Sequence, residues 1–465
     1  MADDRNAVAT QEGLSTEGES LRAVYWRRFK KHTLGKIGAI TLIVLYTTAV
    51  LADFLSPFDM TWTDKRKSYH PPTGIHFAYR DQGKTVVRPF VYEMKIVNVA
   101  FKRYRIVPAR TLRVVSRETL PGRGDLRVVA DQKDPAARKA SVLREVSRYY
   151  GLPSGHAGLV SLEQAIDELE RSKASALQVE VRLGTRQQLG REVPMAVILI
   201  KGNKNFLSFF TRGIPYRFLG LFQTDVHFFG SPTGGVFLLG ADRFGRDMVS
   251  RLLHGARVSL SVGLLGALIS FTVGLIMGGI AGYFGGVVDN ILMRFSEVVY
   301  SFPSIYLLFA LRATFPPTLS SSQVYLLIVL ILSFVGWAGL ARVIRGLVLS
   351  IKSEEYVLSA RAVGLSHLKI ILKHVLPNTL SYVIVQATIT IPGYILGESA
   401  LSLLGLGITE PQSSWGLMLS VARNIRVVMD FPWILVPGLF IFVAIMAWNF
   451  FGDGIRDAVD PKSKH

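Results

Sequence analysis

The carboxylates best suited to chemistry lie inside apolar stretches of the chain. Glu398 stands within Gly397-Glu-Ser399, with a long apolar run on each side. Because burying a carboxylate in an apolar environment is costly, such a residue is a functional candidate by default. Glu398 and Ser399 are candidates for a polar path or for an interface between subunits, and a structural hydrogen bond or salt bridge is an equally good interpretation.

A segment with the outline of a phosphate-binding loop occurs at Ala78-Tyr-Arg-Asp-Gln-Gly-Lys-Thr85. Such a loop wraps small residues around phosphates between a buried strand and a helix N-terminus. The interior residues here are bulky, and Pro89 prevents the segment that follows from continuing as a helix. The sequence therefore predicts a hairpin turn at Asp81-Gln-Gly83 rather than a nucleotide site.

Metal and thiol chemistry have little support in the composition. The chain contains no Cys, which excludes disulfides, thiolate metal sites and Cys nucleophiles. The nine His are scattered without an HExxH or paired spacing. We therefore predict no metal site and no cofactor bound by this chain.

The overall composition points to a membrane environment for these residues. The 465 residues are 49% hydrophobic, with a mean hydropathy of +0.33, which is too apolar for an ordinary soluble chain. The formal net charge of +19 admits nucleic acid, anionic lipid headgroups or acidic partners, and charge alone does not choose among them. With membrane insertion, the lipid bilayer is an expected partner and nucleic acid is not.

Six stretches are apolar over the length of about 20 residues that a helix needs to cross a bilayer. They run approximately over Leu34–Leu55, Val258–Phe284, Ile291–Ala313, Val324–Leu347, Leu380–Leu404 and Phe431–Phe451. Near one end of the third stretch, Arg294 and Glu297 are spaced i, i+3 and can pair along one helix face. Glycines in the second stretch permit close helix packing, as small residues do in membranes; they are Gly263, Gly266, Gly274, Gly278, Gly279 and Gly282.

The orientation follows from the short loops, because Lys and Arg are retained on the cytoplasmic side. Residues 1–33 are predicted to form a cytoplasmic tail, 34–57 an uncleaved first membrane helix, and 453–465 a cytoplasmic C-terminal tail. Four arginines before the second span oppose this orientation, although long loops translocate largely regardless of charge. They are Arg243, Arg246, Arg251 and Arg257.

Residues 58–237 are long enough for a domain of their own. Alternating runs and helix-like runs predict an α+β extracytoplasmic domain. The strand-like runs are Thr85–Val99, Arg105–Val115, Leu177–Leu183 and Val193–Ile200, and the helix-like runs are Asp134–Tyr150 and Ser161–Ala174. Ser161-Leu-Glu-Gln164 has the capping-box pattern of a helix start. The excess of basic residues could attract acidic ligands or anionic headgroups, or simply form a solvated face.

After the fourth span, residues 353–377 predict a short helix, a turn and an amphipathic helix. Helical spacing places five apolar residues on one side of the second helix, namely Leu368, Ile371, Leu372, Val375 and Leu376. Gly364 suits a helix C-terminus, and Pro377 is expected to end the second helix before the fifth span. Such an elbow can fit a groove on a cytosolic partner, or it can be an interfacial connector with no partner.

The same segment resembles the EAA signature through which the permeases of ABC importers couple to their ATPases. Alignment to that signature gives the coupling candidates Leu358, Ser359, Ala360, Gly364, His374, Leu376 and Pro377, with Glu355 just upstream. The Glu, the first Ala and the Ile of the signature are replaced here, while the Gly and the Leu-Pro spacing are intact.

Three further segments resemble the C-type permease subunit of peptide importers. Gly240-Ala-Asp-Arg-Phe-Gly-Arg-Asp247 is similar to the stretch before the second span of that subunit, Leu401-Ser-Leu-Leu-Gly-Leu-Gly407 with Ser414-Trp-Gly416 to its outer loop, and Asn449–Pro461 to its tail. These segments give the outer-motif candidates Asp242, Gly245, Arg246, Asp247 and Trp415. The resemblance covers about half of the chain and leaves out residues 58–237, because the first outer loop of common peptide permeases is much shorter.

The resemblance implies a mainly α-helical polytopic membrane protein with six transmembrane helices, of the ABC importer permease type, plus an α+β extracytoplasmic insert domain. Residues 238–452 would form the permease core, with cytoplasmic coupling helices at 353–377. The implied function is that of a non-catalytic subunit forming half of the pathway for dipeptides or oligopeptides across the inner membrane, by ATP-driven alternating access. The implied partners are a homologous B-type permease subunit, two ATP-binding cassette subunits that use ATP and Mg, and an extracytoplasmic substrate-binding protein. A separate hypothesis, which the resemblance does not supply, is that the insert extends the docking surface for that binding protein.

Two other functions stay open at the level of sequence. An ion-coupled secondary transporter would use Glu398 or Glu297 as a proton relay. A membrane-anchored binding or adaptor protein would rely on residues 59–237, with the spans as a scaffold. Among cargoes, the sequence does not separate a dipeptide, an oligopeptide, a nickel chelate or another solute.

Overall fold

In the computed structural model of the chain, the described residues are 21–81, 84–107, 111–116, 126–130, 132–172, 177–188, 191–231, 235–316 and 318–459. The chain divides into two units. The first, which we call the membrane unit, consists of Met1–Val50, His254–Val427 and Ile434–His465. The second, which we call the insert unit, consists of Leu51–Leu253 and Val428–Trp433.

Helices make up the described part of the membrane unit, and the insert unit mixes helices with strands. The helices in chain order are α1 (Leu21–Lys31), α2 (Thr33–Val50), α3 (Ala52–Leu55), α4 (Pro135–Tyr150), α5 (Ala157–Arg171), α6 (Met248–Phe284), α7 (Gly286–Ser301), α8 (Ser304–Ala313), α9 (Ser321–Ile351), α10 (Glu355–Ala362), α11 (His367–Ile370), α12 (Leu380–Leu403), α13 (Trp415–Leu419), α14 (Ile425–Asp430) and α15 (Val436–Val459). Helices α3, α4 and α5 belong to the insert unit.

Five predicted spans correspond to helices that are long and apolar enough to cross a membrane. These are Thr33–Val50, Met248–Phe284, Ser321–Ile351, His367–Leu403 and Pro432–Val459. The structure divides the stretch predicted as the third span between α7 and α8. The single helix predicted there is therefore wrong, although α7 and α8 together cover the stretch and six crossings remain consistent with the structure.

The break between α7 and α8 has a local cause. Phe302 is extended, with φ −83° and ψ 132°, and it precedes Pro303. Because the proline ring clashes with the preceding residue in a helical conformation, that residue moves to the extended region and the helix ends.

Small residues bring the first and last spans together. The buried residues of α2 recur at helical spacing along one face; they are Gly35, Gly38, Leu42, Leu45 and Ala49. A Cβ on Gly35 would lie 2.9 Å from the Cα of Gly454 in α15, and a Cβ on Gly38 would lie 2.6 Å from the Ala447 carbonyl oxygen. Glycine is therefore required at both positions for the backbones to approach this closely.

The glycines of α6 serve the same purpose on two sides of that helix, as the sequence predicted. A Cβ on Gly263 would lie 2.8 Å from Ile395 in α12, and a Cβ on Gly282 would lie 2.8 Å from the Arg345 carbonyl oxygen in α9. Helix α6 thus packs between α9 and α12, and close packing is confirmed.

The described part of the insert unit contains eleven strands, all in antiparallel pairs. They are β1 (His76–Asp81), β2 (Lys84–Tyr92), β3 (Met94–Asn98), β4 (Arg103–Ile106), β5 (Leu112–Ser116), β6 (Arg127–Ala130), β7 (Leu177–Gln188), β8 (Arg191–Lys201), β9 (Lys204–Phe206), β10 (Ser208–Phe218) and β11 (Phe222–Gly230). The sheets have the orders β1-β2-β9, β3-β4, β6-β5-β8-β7 and β10-β11.

The core of the insert unit lies between the four-stranded sheet and helices α4 and α5. Val142 of α4, Leu162 and Ile166 of α5, and Leu112 and Leu199 of the sheet are buried together. Alternate strand residues and helix residues at helical spacing supply this layer, as a helix-on-sheet packing requires. The α+β character predicted for the insert is confirmed.

The helix starts in this core agree only in part with the sequence. Helix α4 begins where predicted, because the Asp134 side chain accepts hydrogen bonds from the N–H groups of its first turn. The capping box predicted at Ser161 is wrong. The N-cap of helix α5 lies five residues earlier, at His156, whose Nδ1 accepts a hydrogen bond from Gly158 N–H at 3.1 Å. Ser161 lies inside the helix, and its Oγ donates to the Ala157 carbonyl.

The hairpin predicted near Asp81 is present. Strands β1 and β2 are antiparallel, with Asp81 opposite Lys84, and residues 82–83 lie outside the described part. Both sides of the phosphate-loop-like segment are therefore strands rather than a strand and a helix. The predicted strand-like runs contain β3, most of β2, β5, β7 and β8, and half of β4, while β1, β6, β9, β10 and β11 were not predicted.

Residues before and after the α4–α5 core pair with each other in nested order, so that the first residues pair with the last. His70 accepts a hydrogen bond from Ala241 N–H at 2.8 Å, and Thr73 N–H donates to the Phe237 carbonyl at 2.8 Å. Further inside, Tyr92 pairs with Lys204. Innermost, Gly202 N–H donates to the Thr111 carbonyl at 2.9 Å. Each pair joins a residue before the α4–α5 core to one after it.

Replacing Gly278 with Val is expected to destabilise the membrane unit. A Cβ there would meet the Ala341 carbonyl oxygen and would lie 2.9 Å from the Ile344 Cβ. Overpacking of this kind costs about 1–3 kcal/mol, so the thermal unfolding midpoint of the detergent-solubilised chain should fall. Gly393→Val is the matched control, because a Cβ at Gly393 meets nothing within 4 Å. Equal midpoints for the two variants would contradict close packing of α6 on α9.

Candidate functional site

The predicted coupling segment begins with α10, and a glycine closes this helix. Gly364 has φ +81° and donates its N–H to the Arg361 carbonyl at 3.0 Å, while Leu365 N–H donates to the Ala360 carbonyl at 3.2 Å. This pair of bonds is the Schellman motif, in which a left-handed residue ends a helix and satisfies its last carbonyls. The helix end predicted at Gly364 is confirmed.

The second half of the segment runs directly into the fifth span. Helix α11 continues through a π-turn at Ile371–Val375 and a 3-10 turn at Leu376–Thr379 into α12. The prediction that Pro377 ends the helix before the span is therefore wrong. Proline frees a backbone carbonyl, and local π and 3-10 turns adjust the hydrogen-bond pattern so that the chain continues. We call residues 353–379 the elbow.

The elbow buries only part of the predicted apolar set, because Ile371 and Val375 are buried as predicted and Leu368 and Leu372 are not. Ile370, Ile371 and Val375 are buried, whereas Leu368 and Leu372 are 67% and 55% exposed. In a π-turn the backbone pairs i with i+5, so Ile370 and Val375 lie on the same side. A regular helix would have placed Leu368 and Leu372 there instead.

Polar bonds fix the shape of the elbow. His367 Nδ1 lies 2.9 Å from the Tyr283 hydroxyl of α6, and Asn378 Nδ2 donates to the Tyr356 hydroxyl at 3.0 Å. The second bond joins the start of α10 to the turn before α12. The elbow is therefore tied to α6 near its middle and its two ends are tied to each other, which fixes the surface that it presents.

That surface combines apolar and charged side chains. Leu358, Val363 and Leu368 are 50%, 82% and 67% exposed, and they occur among exposed polar residues. Of the other predicted coupling residues, Glu355, Ser359, Gly364 and Pro377 are exposed, His374 and Leu376 are half-buried, and Ala360 is buried. Exposed apolar residues rimmed by polar ones are typical of an interaction surface.

Glu398 is completely buried within the membrane unit and is surrounded by serine hydroxyls. Ser402 Oγ donates to its Oε1 at 2.7 Å, and Ser259 Oγ donates to its Oε2 at 3.0 Å. Ser399 Oγ lies 3.4 Å from Oε2. Both carboxylate oxygens therefore accept hydrogen bonds, as a buried carboxylate requires.

The serines that bind Glu398 also accept hydrogen bonds from backbone N–H groups after α12. Ser259 Oγ accepts a hydrogen bond from Trp415 N–H at 3.1 Å, and Ser402 Oγ accepts one from Ile408 N–H at 3.0 Å. We call Ser259, Glu398, Ser399, Ser402 and Trp415 the carboxylate cluster. It joins α6, α12 and the segment that leads into α13.

The outer-motif candidates do not form one group. In the insert unit, Asp242 Oδ2 accepts hydrogen bonds from Arg246 Nε at 2.7 Å and from Arg251 Nη1 at 3.1 Å. Gly245 has φ +75°, and a Cβ there would collide with the Asp64 carbonyl. Trp415 instead belongs to the carboxylate cluster of the membrane unit.

Asp247 is the N-cap of α6. Its Oδ2 accepts hydrogen bonds from Ser250 N–H at 2.7 Å and from Ser250 Oγ at 2.8 Å, which satisfies a free donor of the first turn. Burial raises the pKa of Asp247 to about 7, against the opposite effect of the bonds from Ser250.

The four arginines that opposed the predicted orientation have structural partners. Arg246 and Arg251 bind Asp242. In the membrane unit, Arg257 Nε donates to the Ala49 carbonyl at 2.6 Å and Nη2 to the Val50 carbonyl at 2.8 Å. A guanidinium is favoured at these last carbonyls of α2 because a helix C-terminus carries partial negative charge. Arg243 lies over the Phe244 ring.

Sequence reasoning missed two links that involve distant residues. One is the bond from Arg257 to the end of α2, which an arginine at the start of an apolar span could have suggested. The other is the ion pair between Asp289 of α7 and Arg345 of α9, with Nε 3.0 Å from Oδ1. Arg294 and Glu297 do pair as predicted, at 2.9 Å. The described residues contain no group of three or more His, Asp or Glu that could hold a metal ion.

Two family descriptions match this chain. Residues 272–465 match the binding-protein-dependent transport system inner membrane component, and residues 20–72 match the N-terminal transmembrane domain of oligopeptide transport permease C. Both matched ranges contain membrane helices of the structure.

Two curated proteins are similar over about half of the chain. The oligopeptide transport system permease protein OppC of Haemophilus influenzae is 44% identical over 231 residues, which are 50% of this chain and 72% of that protein. The dipeptide transport system permease protein DppC of Bacillus subtilis is 43% identical over 225 residues, which are 48% of this chain and 68% of that protein. A solved structure of the MetNI methionine ABC transporter in an inward-facing conformation covers 46% of this chain and 98% of its own chain, at 19% identity and a TM-score of 0.37, too low to support a conclusion.

The family matches and the membrane helices define a permease subunit of an ABC importer, a multi-pass protein of the inner membrane. Within that class, the chain belongs to the C-type oligopeptide and dipeptide permease family. The insert unit accounts for most of the residues that fall between the two family matches.

Glu398→Ala is expected to destabilise the membrane unit strongly and Glu398→Gln to do so less. Alanine leaves the hydroxyls of Ser259 and Ser402 without their acceptor, whereas glutamine keeps one acceptor oxygen. Each buried group left unpaired costs about 1–3 kcal/mol, so thermal unfolding in detergent should rank wild type above Gln above Ala. Ser399→Ala, which removes only the 3.4 Å contact, is the control and should stay near wild type. Loss of uptake in Glu398→Gln with wild-type unfolding would instead point to a role in the pathway.

Asp247 is expected to make stability depend on pH. Its pKa of about 7 lies above the value of 3.8 for a free Asp, so between about pH 4 and pH 7 the unfolded chain loses the proton while the folded chain keeps it. Stability from this residue therefore falls as pH rises through that range, by at most about 1.4 kcal/mol per pH unit. Asp247→Asn keeps the N-cap and should remove this component, which unfolding midpoints from pH 4 to pH 8 would show. Parallel curves for wild type and variant would disprove it.

Proposed function

We propose that this chain forms half of a pathway that carries dipeptides or oligopeptides across the inner membrane, with a homologous B-type permease supplying the other half. The cargoes named for the two similar permeases support this choice. In this proposal the chain itself catalyses no reaction. Two ATP-binding cassette subunits hydrolyse ATP with Mg, and a substrate-binding protein delivers the peptide.

The observation that carries the proposal is the fixed surface of the elbow. Leu358, Val363 and Leu368 are exposed on a turn whose backbone is determined by Gly364. An ATP-binding subunit with an apolar groove can bind such a surface. Because the elbow continues without a break into α12, a displacement of the bound subunit would reach the fifth span, as alternating access requires.

Charge supports an orientation with both termini and the elbow in the cytoplasm, and with residues 58–237 outside. Arg28, Lys30 and Lys31 end α1 just before the first span. Basic residues of the elbow, including Lys369 and Lys373, lie beyond the fourth span. This distribution follows the rule that cytoplasmic loops retain Lys and Arg. A role for the insert in docking the substrate-binding protein stays a prediction.

The carboxylate cluster favours this proposal over a secondary transporter. A proton relay needs a carboxyl group that can exchange protons with a polar path. Glu398 has no exposed surface, and serine hydroxyls bind both of its oxygens. Its geometry suits a link between helices.

Gly364→Val is expected to release the ATP-binding subunits from the purified complex. Valine at φ +81° is strained even though a Cβ there meets nothing within 4 Å. The backbone would leave the Schellman motif, and the elbow surface would change shape. Purification of the tagged chain from its native membrane in mild detergent, followed by identification of stoichiometric partners, measures the effect.

Gly346→Val is the matched control. Gly346 lies within α9, a Cβ there also meets nothing within 4 Å, and its φ is not positive. This variant should retain every partner. If wild-type chain copurifies with no second permease and no ATP-binding subunit, or if Gly364→Val retains as much of the ATP-binding subunits as Gly346→Val, the proposed coupling is wrong.

A further inference from the structure

The hairpin formed by β10 and β11 exposes an unusual amount of apolar side chain. Seven large apolar residues of this hairpin are 37–80% exposed, namely Phe209, Phe210, Ile214, Leu219, Leu221, Phe222 and Phe228. Among the strands that the structure describes, β10 and β11 form a two-stranded sheet and pair only with each other. An isolated two-stranded hairpin is only marginally stable in water, and exposed apolar side chains in this number favour an apolar surrounding.

The tip of the hairpin is apolar as well. Phe218 pairs with Phe222 around the loop Leu219-Gly220-Leu221, and Leu221 is 80% exposed. Gly220 has φ +75°, which allows the reversal. Turns in water are dominated by Gly, Pro, Asn, Asp and Ser. Leucines on both sides of the glycine place two apolar side chains at the most protruding point of the hairpin.

The hairpin is fixed to the segment that directly follows the first membrane span, both at its base (Phe210 and Phe228) and beside its tip (Phe218). The Phe54 ring lies 5.9 Å from the Phe228 ring and 6.3 Å from the rings of Phe210 and Phe218. The buried ring of His227 places its Nδ1 2.7 Å from the Ser56 carbonyl oxygen. All of these residues belong to the insert unit.

Chain connectivity sets how far this base can be from the membrane. Helix α2 ends at Val50, and Phe54 is only four residues later. At 3.8 Å between consecutive Cα atoms, Phe54 lies within about 15 Å of the end of the span. The headgroup region of a bilayer extends roughly 5–8 Å beyond the hydrocarbon core. A hairpin anchored at Phe54 is therefore within reach of the lipid surface.

The polar residues of the hairpin suit the same location. Arg212 and Arg217 are exposed, and Asp225 lies 3.9 Å from Arg212. Long basic side chains can keep their charge among headgroups while their stems and neighbouring aromatic rings contact acyl chains.

We propose that the hairpin Ser208–Gly230 is a lipid-binding element that inserts its tip into the bilayer leaflet in which the first span ends. Its aromatic and leucine side chains contact the boundary between acyl chains and headgroups, and its arginines bind phosphate groups of the lipids. The hairpin thereby ties the insert unit to the membrane surface at a second point besides the polypeptide connections.

Site-directed spin labelling of the full chain tests this proposal. The natural sequence has no Cys, so Leu221→Cys gives one labelled site without other changes. Ile43→Cys, at a 65% exposed position of α2, is the lipid reference. Arg148→Cys, at an exposed position of α4, is the water reference. Each chain is reconstituted in nanodiscs of phosphatidylethanolamine and phosphatidylglycerol, and relaxation by oxygen is compared with relaxation by a water-soluble nickel chelate.

The label at Leu221 should be relaxed several-fold more by oxygen than by nickel, with a ratio near that of Ile43 and far from that of Arg148. A ratio equal to that of Arg148 would place the tip in water and overturn the proposal. Protection from both reagents would overturn it as well, since the tip would then be buried against protein.

A second variant tests whether the apolar tip causes insertion. With the label at Phe222→Cys, replacing Leu219 and Leu221 by Glu should shift the ratio towards the water reference. An unchanged lipid-like ratio would show that these leucines do not hold the hairpin in the bilayer.

Discussion

A single buried carboxylate links α6, α12 and the start of α13 in the membrane unit. Because Glu398 is buried away from water, neighbouring groups must supply all of its hydrogen bonds. Ser259 and Ser402 supply those interactions and are themselves bonded to the backbone at Trp415 and Ile408. The position of α6 against α12 and the path of the loop after α12 thus depend on one side chain.

The helix that carries this carboxylate also carries the elbow. From His367 to Leu403 the chain is helical without interruption, because π and 3-10 turns absorb Pro377. At 1.5 Å per residue, roughly 40 Å separate Ile370 from Glu398 along this helix. This helical segment is the covalent connection through which the proposed displacement of the elbow would reach the carboxylate cluster.

Features that depend on residues nearby in sequence, or on the length and composition of one segment, were predicted correctly. Five of the six apolar spans, Gly364 at a helix end and Asp134 at a helix start need only local information. The errors arose where local patterns compete. Ser161 had the sequence pattern of an N-cap, but His156 is the N-cap in the structure. Regular helical spacing predicted that Leu368 is buried, whereas in the structure, which has a π-turn here, Ile370 is buried and Leu368 is exposed.

The nested closure of the insert has a consequence for how such a chain can grow. Thr111 and Gly202 are joined by one hydrogen bond, although 90 residues lie between them. A segment whose ends already touch can be gained or lost at that junction while the surrounding ladder, at Tyr92 and Lys204, keeps its register. The α4–α5 core therefore has the geometry of a module inserted within a shorter loop, and the outer pairs at His70 and Thr73 close that loop.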